Sequence, residues 1–379
     1  MRIFQYLPDT KTIIMERRQL LKKSALAIAA FTFSRDLFAR EAEATAASYG
    51  YLDYIKLSSN ENPHGPSSPA KKAMMEAVNG SNRYPWEVTT QLREKIGAQF
   101  GLKKENVIIG AGSSELLGVV STYAALKKGN AIAPDPTFRL WIPAARKAGL
   151  DVKLVALDKD KVTDLQKMKE QINESTQMVY VCNPNNPTGS IVPAAELEAF
   201  IKQVPARVII LLDEAYTEFS DEPSMARLVN DYPNLVVAKT FSKVYGMAGA
   251  RVGFGLAHPD TIKQLNDMQP WANAGASAVS LAGALAVVQD NSFIAHCKSE
   301  NQKARKIFTD ALTKNGIKFI PSHTSFVYFD PTGSGKDVAK LLEANQIVGA
   351  RSFEEKSPWL RLSVGTVDEM TKVSKVLNS

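Results

Sequence analysis

Short apolar runs alternate along the chain with stretches in which apolar side chains recur every three or four positions. The runs at 107–110, 152–156, 178–182, 207–212 and 235–238 are rich in Val, Ile and Leu and stop at polar or glycine-containing turns, so they read as buried strands. Between them, 114–126 and 193–203 carry helical spacing. Strands that are apolar on both faces need cover on both faces, and the pattern therefore predicts an α/β fold with a mostly parallel sheet flanked by helices. Past a long helical stretch at 293–315 the order changes: 318–329, 336–345, 346–351, 359–364 and 367–377 read as strand, helix, strand, strand, helix. That tail predicts a smaller α+β domain.

The 379 residues exceed the size at which one core stops growing. The expected division is a leader at 1–47, an N-terminal arm and start of the small domain at 48–80, a large domain at 81–290 and a C-terminal small domain at 291–379. No low-complexity segment or linker adds a further module.

Composition changes this picture little. The net charge of +7 would suit a nucleic-acid partner, but residues 1–44 hold eight Lys/Arg against five Asp/Glu, and the remainder keeps a surplus of only +4. With no basic run, a small-molecule partner is expected and nucleic acid is not. Cys182 and Cys297 sit in no CxxC or Cys/His cluster, and His64, His258, His296 and His323 show no ligand spacing, so no metal site is expected. The run Gly333-Ser334-Gly335-Lys336 mimics a P-loop, but Asp330 stands where the first glycine belongs and Asp337 replaces the Ser/Thr, leaving a loop before a helix.

Near the start, Arg17-Arg18-Gln19-Leu20-Leu21-Lys22 precedes an apolar stretch at 24–33 that is too short to span a bilayer as a mature helix. The segment resembles a twin-arginine export signal, with Leu20 where Phe is commoner and Met15 as a possible start. Small-residue sites at 42–44 and 44–46 place the start of the mature chain near 45–48, which implies a periplasmic or exported protein with no stable membrane span. An amphipathic N-terminal helix on a cytoplasmic protein is the alternative.

Four segments carry candidate chemistry. Lys243 lies in a loop just past the 235–238 run, at the strand edge where open α/β sheets bind ligands; Thr240, Ser242 and Arg251 around it offer hydroxyls and a cation for a phosphate. Asp213 ends an apolar strand, where an unpaired carboxylate is costly, so it requires a cationic partner or serves as a helix cap; Tyr216 follows three residues later. The segment 183–189, Asn-Pro-Asn-Asn-Pro-Thr-Gly, is a rigid turn able to hold the Asn186 amide still, or a plain loop. The glycine-rich turn at 110–115 opens a helix that Ser113 or Ser114 would cap with or without an anion in front of it.

Together these segments resemble the fold type I pyridoxal phosphate-dependent aminotransferases of class I and II, and the histidinol-phosphate aminotransferase-like subgroup among them. The similarity also takes in 57–63, 82–85, 134–138 and 359–366, nearly the whole chain after the leader. It implies a large sheet domain with a smaller α+β domain, and pyridoxal phosphate held as a Schiff base by Lys243. By the same resemblance Asp213 holds the pyridine nitrogen protonated, Tyr216 and Asn186 contact the ring oxygen, and Phe138 stacks on the ring. Gly112, Ser113, Thr240, Ser242 and Arg251 surround the phosphate. Tyr84 of a neighbouring subunit reaches that phosphate, which implies a homodimer. Asn60 and Arg361 belong to the substrate site, Arg361 clamping the carboxylate, and Arg351 sits where the subgroup carries an arginine for the substrate phosphate.

The implied reaction moves an amino group between an amino acid, or a histidinol-phosphate-like amine, and a 2-oxo acid. Histidinol phosphate belongs to the cytoplasm, so the leader favours an unspecified amino acid. A decarboxylase or lyase on the same scaffold, like the threonine-phosphate decarboxylases, would share every cofactor residue and is the alternative.

Overall fold

Seven strands form the central sheet of the computed structural model, which describes residues 54–379. The predicted leader at 1–47, with its arginine pair, and the first residues of the predicted arm lie outside the described residues. The elements below all belong to one unit, Lys56–Ser379.

The strands are β1 (Val107–Gly110), β2 (Asn130–Asp135), β3 (Asp151–Ala156), β4 (Thr176–Cys182), β5 (Ile209–Asp213), β6 (Leu235–Thr240) and β7 (Gly253–Ala257), in the spatial order β1-β7-β6-β5-β4-β2-β3. Only β7 runs against its neighbours; the rest are parallel. Helices α1 (Ser68–Ala77), α2 (Ser113–Ala124), α3 (Trp141–Ala148), α4 (Ala194–Gln203) and α5 (Ala278–Val287) accompany it. Apolar residues of the sheet feed two separate clusters, one around Val179, Val181, Leu212 and Val237 and the other around Tyr180, Leu211, Val236 and Trp141. Alternate residues of each strand thus meet cover on opposite faces, which is why the strands read as unbroken apolar runs. Helices α1 and α5 touch closely, since a Cβ on Gly283 would lie 2.6 Å from Met74 Cγ.

Two strands go beyond the sequence pattern. β2 contains Asn130, Pro134 and Asp135, all poor strand formers, yet it is buried between β3 and β4. Pro134 is tolerated because the β4 pairing ends at Ile132. β7 is glycine-rich because Gly253 and Gly255 must pass close to Ser113 N and to Ile108.

The tail follows the predicted order with shorter elements. After α6 (Asn291–Lys314), the expected strand at 318–329 is two pieces, β8 (Lys318–Phe319) and β9 (Phe326–Asp330), separated by a turn in which Ser322 Oγ donates to Phe326 O. Then come α7 (Val338–Ala344), β10 (Ile347–Val348), β11 (Leu360–Ser363) and α8 (Val367–Asn378). β11, β9 and β8 make an antiparallel sheet in that order. The expected strand at 346–351 shortens to β10, but Arg351 still pairs with Arg361 through backbone hydrogen bonds of 2.9 and 3.3 Å. The P-loop mimic is a short turn whose Lys336 Nζ donates to Leu377 O, followed by Asp337 as the cap of α7.

Candidate active site

The strand registers bring Cys182, Asp213 and Ala238 level, and Gly253 opposite both Gly110 and Thr240. The carboxyl ends of β1, β4, β5 and β6 therefore share one edge, where helix N-termini and loops leave room for a ligand. A cavity of about 390 Å³ opens there. Asn60, Ser113, Phe138, Asn186, Asp213, Tyr216, Thr240, Ser242, Lys243, Arg251, Arg351 and Arg361 all line it. Gly112 adjoins it through Arg251, whereas Tyr84 does not line it.

One end of the cavity suits an anion. Gly112, not a serine, is the N-cap of α2, at φ 84°, and no side chain caps the helix. The expected serine cap is therefore absent, and the N–H groups of the first turn stay available to a ligand. Thr240 Oγ1 donates to Ser242 Oγ at 2.9 Å, and Arg251 Nη1 reaches Ser242 Oγ at 3.4 Å and Ala248 O at 2.9 Å. A Cβ on Gly112 would lie 2.5 Å from Arg251 Nη2, and one on Gly253 would lie 2.4 Å from Ser113 N. Both glycines are needed for the backbone and the guanidinium to converge.

At the floor stands Asp213, 3% exposed. Its Oδ2 accepts from Tyr180 Oη at 3.1 Å and its Oδ1 from Ala215 N at 3.2 Å, so it caps the local turn and faces the cavity at once. Burial pushes its carboxyl up to about 6, opposed by the Tyr180 hydrogen bond. A buried carboxylate held this high is stabilised by a cation beside it.

Two lysines follow on β6 and its loop, Lys239 buried and Lys243 half-buried. Lys239 bonds Glu214 at 3.2 Å and Glu218 at 2.9 Å; burial would lower it, but the two carboxylates win and hold it above the ordinary lysine range. Among the described residues Lys243 has no carboxylate partner at this range. Its Nζ donates to Ser59 O at 3.2 Å, and burial, then the nearby Arg361, bring its amine down to about 8. Lys243 is thus the lysine with a reactive free base near neutral pH.

A chain of hydrogen bonds closes the substrate side. Tyr216 Oη accepts from Asn60 Nδ2 at 2.9 Å and Asn186 Nδ2 at 3.5 Å, while Asn186 Oδ1 accepts from Arg361 Nη1 at 2.5 Å. Asn60, at φ 55°, is itself held by Ser363, which donates to its Oδ1 and accepts from its N. Burial raises the Tyr216 hydroxyl well above the usual phenol range. Arg361 is 4% exposed, its Nε has no partner among the described residues, and burial brings its guanidinium down to about 10.

Several residues of the site were not singled out one by one in the sequence. Tyr180, which bonds Asp213 but does not line the cavity, hides within an apolar strand. Of the lining residues, Cys182 ends that strand, and Ser59, Thr137, Arg139 and Phe353 sit in loops. The Phe353 ring has the guanidinium carbons of Arg361, Arg139 and Arg351 at 4.1, 5.1 and 5.1 Å. Tyr84 is 68% exposed and packs with Trp86 and Trp271 on the surface, at ring distances of 5.3 and 5.1 Å.

An uncapped helix with hydroxyls and Arg251 at one end, a buried carboxylate awaiting a cation at the floor, and a lysine with a lowered basicity fit a phosphorylated pyridine aldehyde. The chain matches the family "Aminotransferase class I and II" over residues 53–377 and belongs to it. It is 36% identical over 333 residues to histidinol-phosphate aminotransferase of Brevibacillus brevis, covering 87% of this chain and 91% of the relative. The Bacillus subtilis (strain 168) histidinol-phosphate aminotransferase is 34% identical over 339 residues, covering 88% and 94%. The crystal structure of histidinol-phosphate aminotransferase from Sinorhizobium meliloti in complex with pyridoxal-5'-phosphate superposes with a TM-score of 0.78 at 25% identity, covering 89% and 94%. The fold is accordingly the fold type I class, and the activity is pyridoxal phosphate-dependent amino transfer.

Proposed function

We propose that this aminotransferase takes its amino group from an α-amino acid, works as a homodimer and is exported along the twin-arginine route. Arg361 carries the donor class. A buried guanidinium that, among the described residues, has an unpartnered Nε and no ion pair, in the same cavity as Lys243, calls for a carboxylate, whose two oxygens match its planar fork.

Within this reading Asn60, Tyr216 and Asn186 hold Arg361 in place, and Phe138 packs on the cofactor ring. Pyridoxal phosphate supplies an electron sink for the pair left at Cα. Asp213, steadied by Tyr180, keeps the pyridine nitrogen protonated. Lys243, as a free amine, would take the proton from Cα and deliver it to the carbon that was the cofactor's aldehyde, a role its lowered basicity suits. Ser113, Ser242, Thr240 and Arg251 bind the phosphate and keep the ring from turning. Histidinol phosphate, named for the relatives, remains a competing donor, with Arg351 on its phosphate.

The dimer is supported by Tyr84, Trp86 and Trp271, which are 68%, 42% and 53% exposed and adjoin one another. Adjacent exposed aromatics of this size favour a covering partner. The division into an arm at 48–80, a large domain at 81–290 and a small domain at 291–379 is supported by the separate antiparallel sheet of the tail. Export rests on the Arg17-Arg18 pair and the apolar stretch after it. A reporter fused behind residues 1–47 should leave the cytoplasm, and replacing Arg17 and Arg18 by lysine should keep it there.

Purified, cofactor-loaded protein should be screened against amino acids and histidinol phosphate with several 2-oxo acids, following keto-acid and carbon dioxide release. Keto acid without carbon dioxide from at least one amino acid is expected. Turnover of histidinol phosphate alone would replace the amino-acid donor.

A further inference from the structure

The turn that opens α2 is held from behind. Glu115, half-buried in the first turn of that helix, does not line the cavity; its Oε2 accepts from Ala111 N at 2.5 Å and its Oε1 from Gln269 Nε2 at 2.9 Å. Gln269 and Asn273, both buried in the loop before α5, also bond the two backbone groups of Ile109 on β1. Gln269 Nε2 donates to Ile109 O at 2.9 Å, and Asn273 Oδ1 accepts from Ile109 N at 2.7 Å. Asn273 N donates to Gln269 Oε1 at 2.7 Å, which fixes the way that amide faces. The end of β1 and the start of α2 are thereby clamped to one loop, with Glu115 as the joint to the helix.

The clamp decides which N–H groups stay free. An N3 glutamate ordinarily reaches back to the N–H of the cap residue. Here the Gly112 N–H already donates to Gly110 O at 2.8 Å, and Glu115 reaches one residue further, to Ala111. With those two groups committed, the ones left for an anion begin at Ser113. A carboxylate in the first turn also repels an anion bound there, so charge alone would favour a neutral side chain. What Glu115 contributes is geometry.

We infer that Glu115 is a positioning residue: through Ala111 it holds the 110–112 turn so that the free N–H groups of α2 converge with Thr240, Ser242 and Arg251 on the cofactor's phosphate, without touching the cofactor itself. The inference rests on the assignment of that phosphate to this end of the cavity. Gly275 offers a second handle on the same contact. The three atoms nearest a Cβ on Gly275 would all belong to the Glu115 carboxylate, with Oε2 the most crowded, so an alanine there displaces the carboxylate and leaves the backbone alone.

The test titrates the full chain, stripped of cofactor, with pyridoxal phosphate and with pyridoxal, which keeps the aldehyde and the pyridine nitrogen but lacks the phosphate; absorbance reads binding. Glu115→Ala should weaken pyridoxal phosphate roughly tenfold and leave pyridoxal within about twofold, as expected for losing a charged hydrogen bond that serves the phosphate alone. Glu115→Gln should fall between, since its amide oxygen can still accept from Ala111 N while its nitrogen meets the Gln269 donor. Gly275→Ala should reproduce most of the Glu115→Ala loss and add nothing to it in the double variant. Equal losses for both ligands, a lowered melting temperature with unchanged affinity for pyridoxal phosphate, or additive losses in the double variant would each overturn the inference. Failure of the phosphate assignment shows separately, as an Arg251→Ala variant that loses no preference for pyridoxal phosphate over pyridoxal.

Discussion

At the anion-suited end of the cavity the space is drawn by backbone: Gly112 at the cap of α2, Gly253 against Ser113 N, and Arg251 pinned to Ala248 O. At the mouth it is drawn by side chains, with Arg139 and Arg351 exposed on loops and the Phe353 ring between them. Backbone cannot change shape without changing the fold, whereas a loop arginine can be replaced at little structural cost. The first end therefore suits a group common to every turnover, and the second suits whatever distinguishes one substrate from another.

Substitutions can break this contrast, beginning with the residue that both ends serve. Lys243→Ala should lower kcat/KM by two to four orders of magnitude, the usual range for a positioned acid–base group. Borohydride reduction of the loaded wild type, followed by peptide mass spectrometry, should find the cofactor on Lys243; finding it on Lys239 would undo the assignment. Arg361→Ala should cost about ten- to a hundredfold in kcat/KM, from the loss of charged hydrogen bonds, with cofactor retention unchanged. If that variant loses cofactor and keeps normal donor affinity when resaturated, the two ends have been assigned the wrong way round.

The backbone end yields the mirror-image result. Gly112→Ala places a side chain at φ 84° and 2.5 Å from Arg251 Nη2, so strain of about 1–2 kcal/mol should weaken cofactor retention by roughly five- to thirtyfold. Donor preference at saturating cofactor should not move; dialysis followed by absorbance measures the first and competition between donors the second. The smallest effect is on pH dependence. Capture of the cofactor needs the neutral amine of Lys243, whose fraction grows as pH rises toward its value of about 8. The rate of capture by apoprotein should thus climb below pH 8 and level off above it. An ordinary lysine would keep accelerating beyond pH 10.

The same contrast decides what could be read from the chain. Lys243, Asp213 and the glycine-rich turn were legible because strand ends and glycines leave a mark in sequence, and the Asn60, Asn186 and Arg361 positions came with the family resemblance. Arg139 and Phe353 left none, since they meet only when the turn after β2 folds against the loop after Arg351. Tyr180 reads as one more apolar strand residue until its register shows its hydroxyl on Asp213. β2 was illegible for a related reason: its burial comes from β3 and β4 on either side, and its own composition argues against a strand. The serine cap failed because the turn needs a left-handed residue at that position, and only Gly112 supplies it without strain.

Asn60 joins Ser363 across 303 residues of chain, and through Tyr216 it reaches the centre of the cavity. That gives the site a history as well as a shape. The anion-suited end is made from residues between Gly112 and Gly253, all of which leave the ribosome before Ser363 does. Closing so long a loop carries a large entropic cost, so this joint forms late. A nascent chain can thus carry the anion-suited end before the hydrogen bonds that join Asn60, Tyr216 and Arg361 are complete.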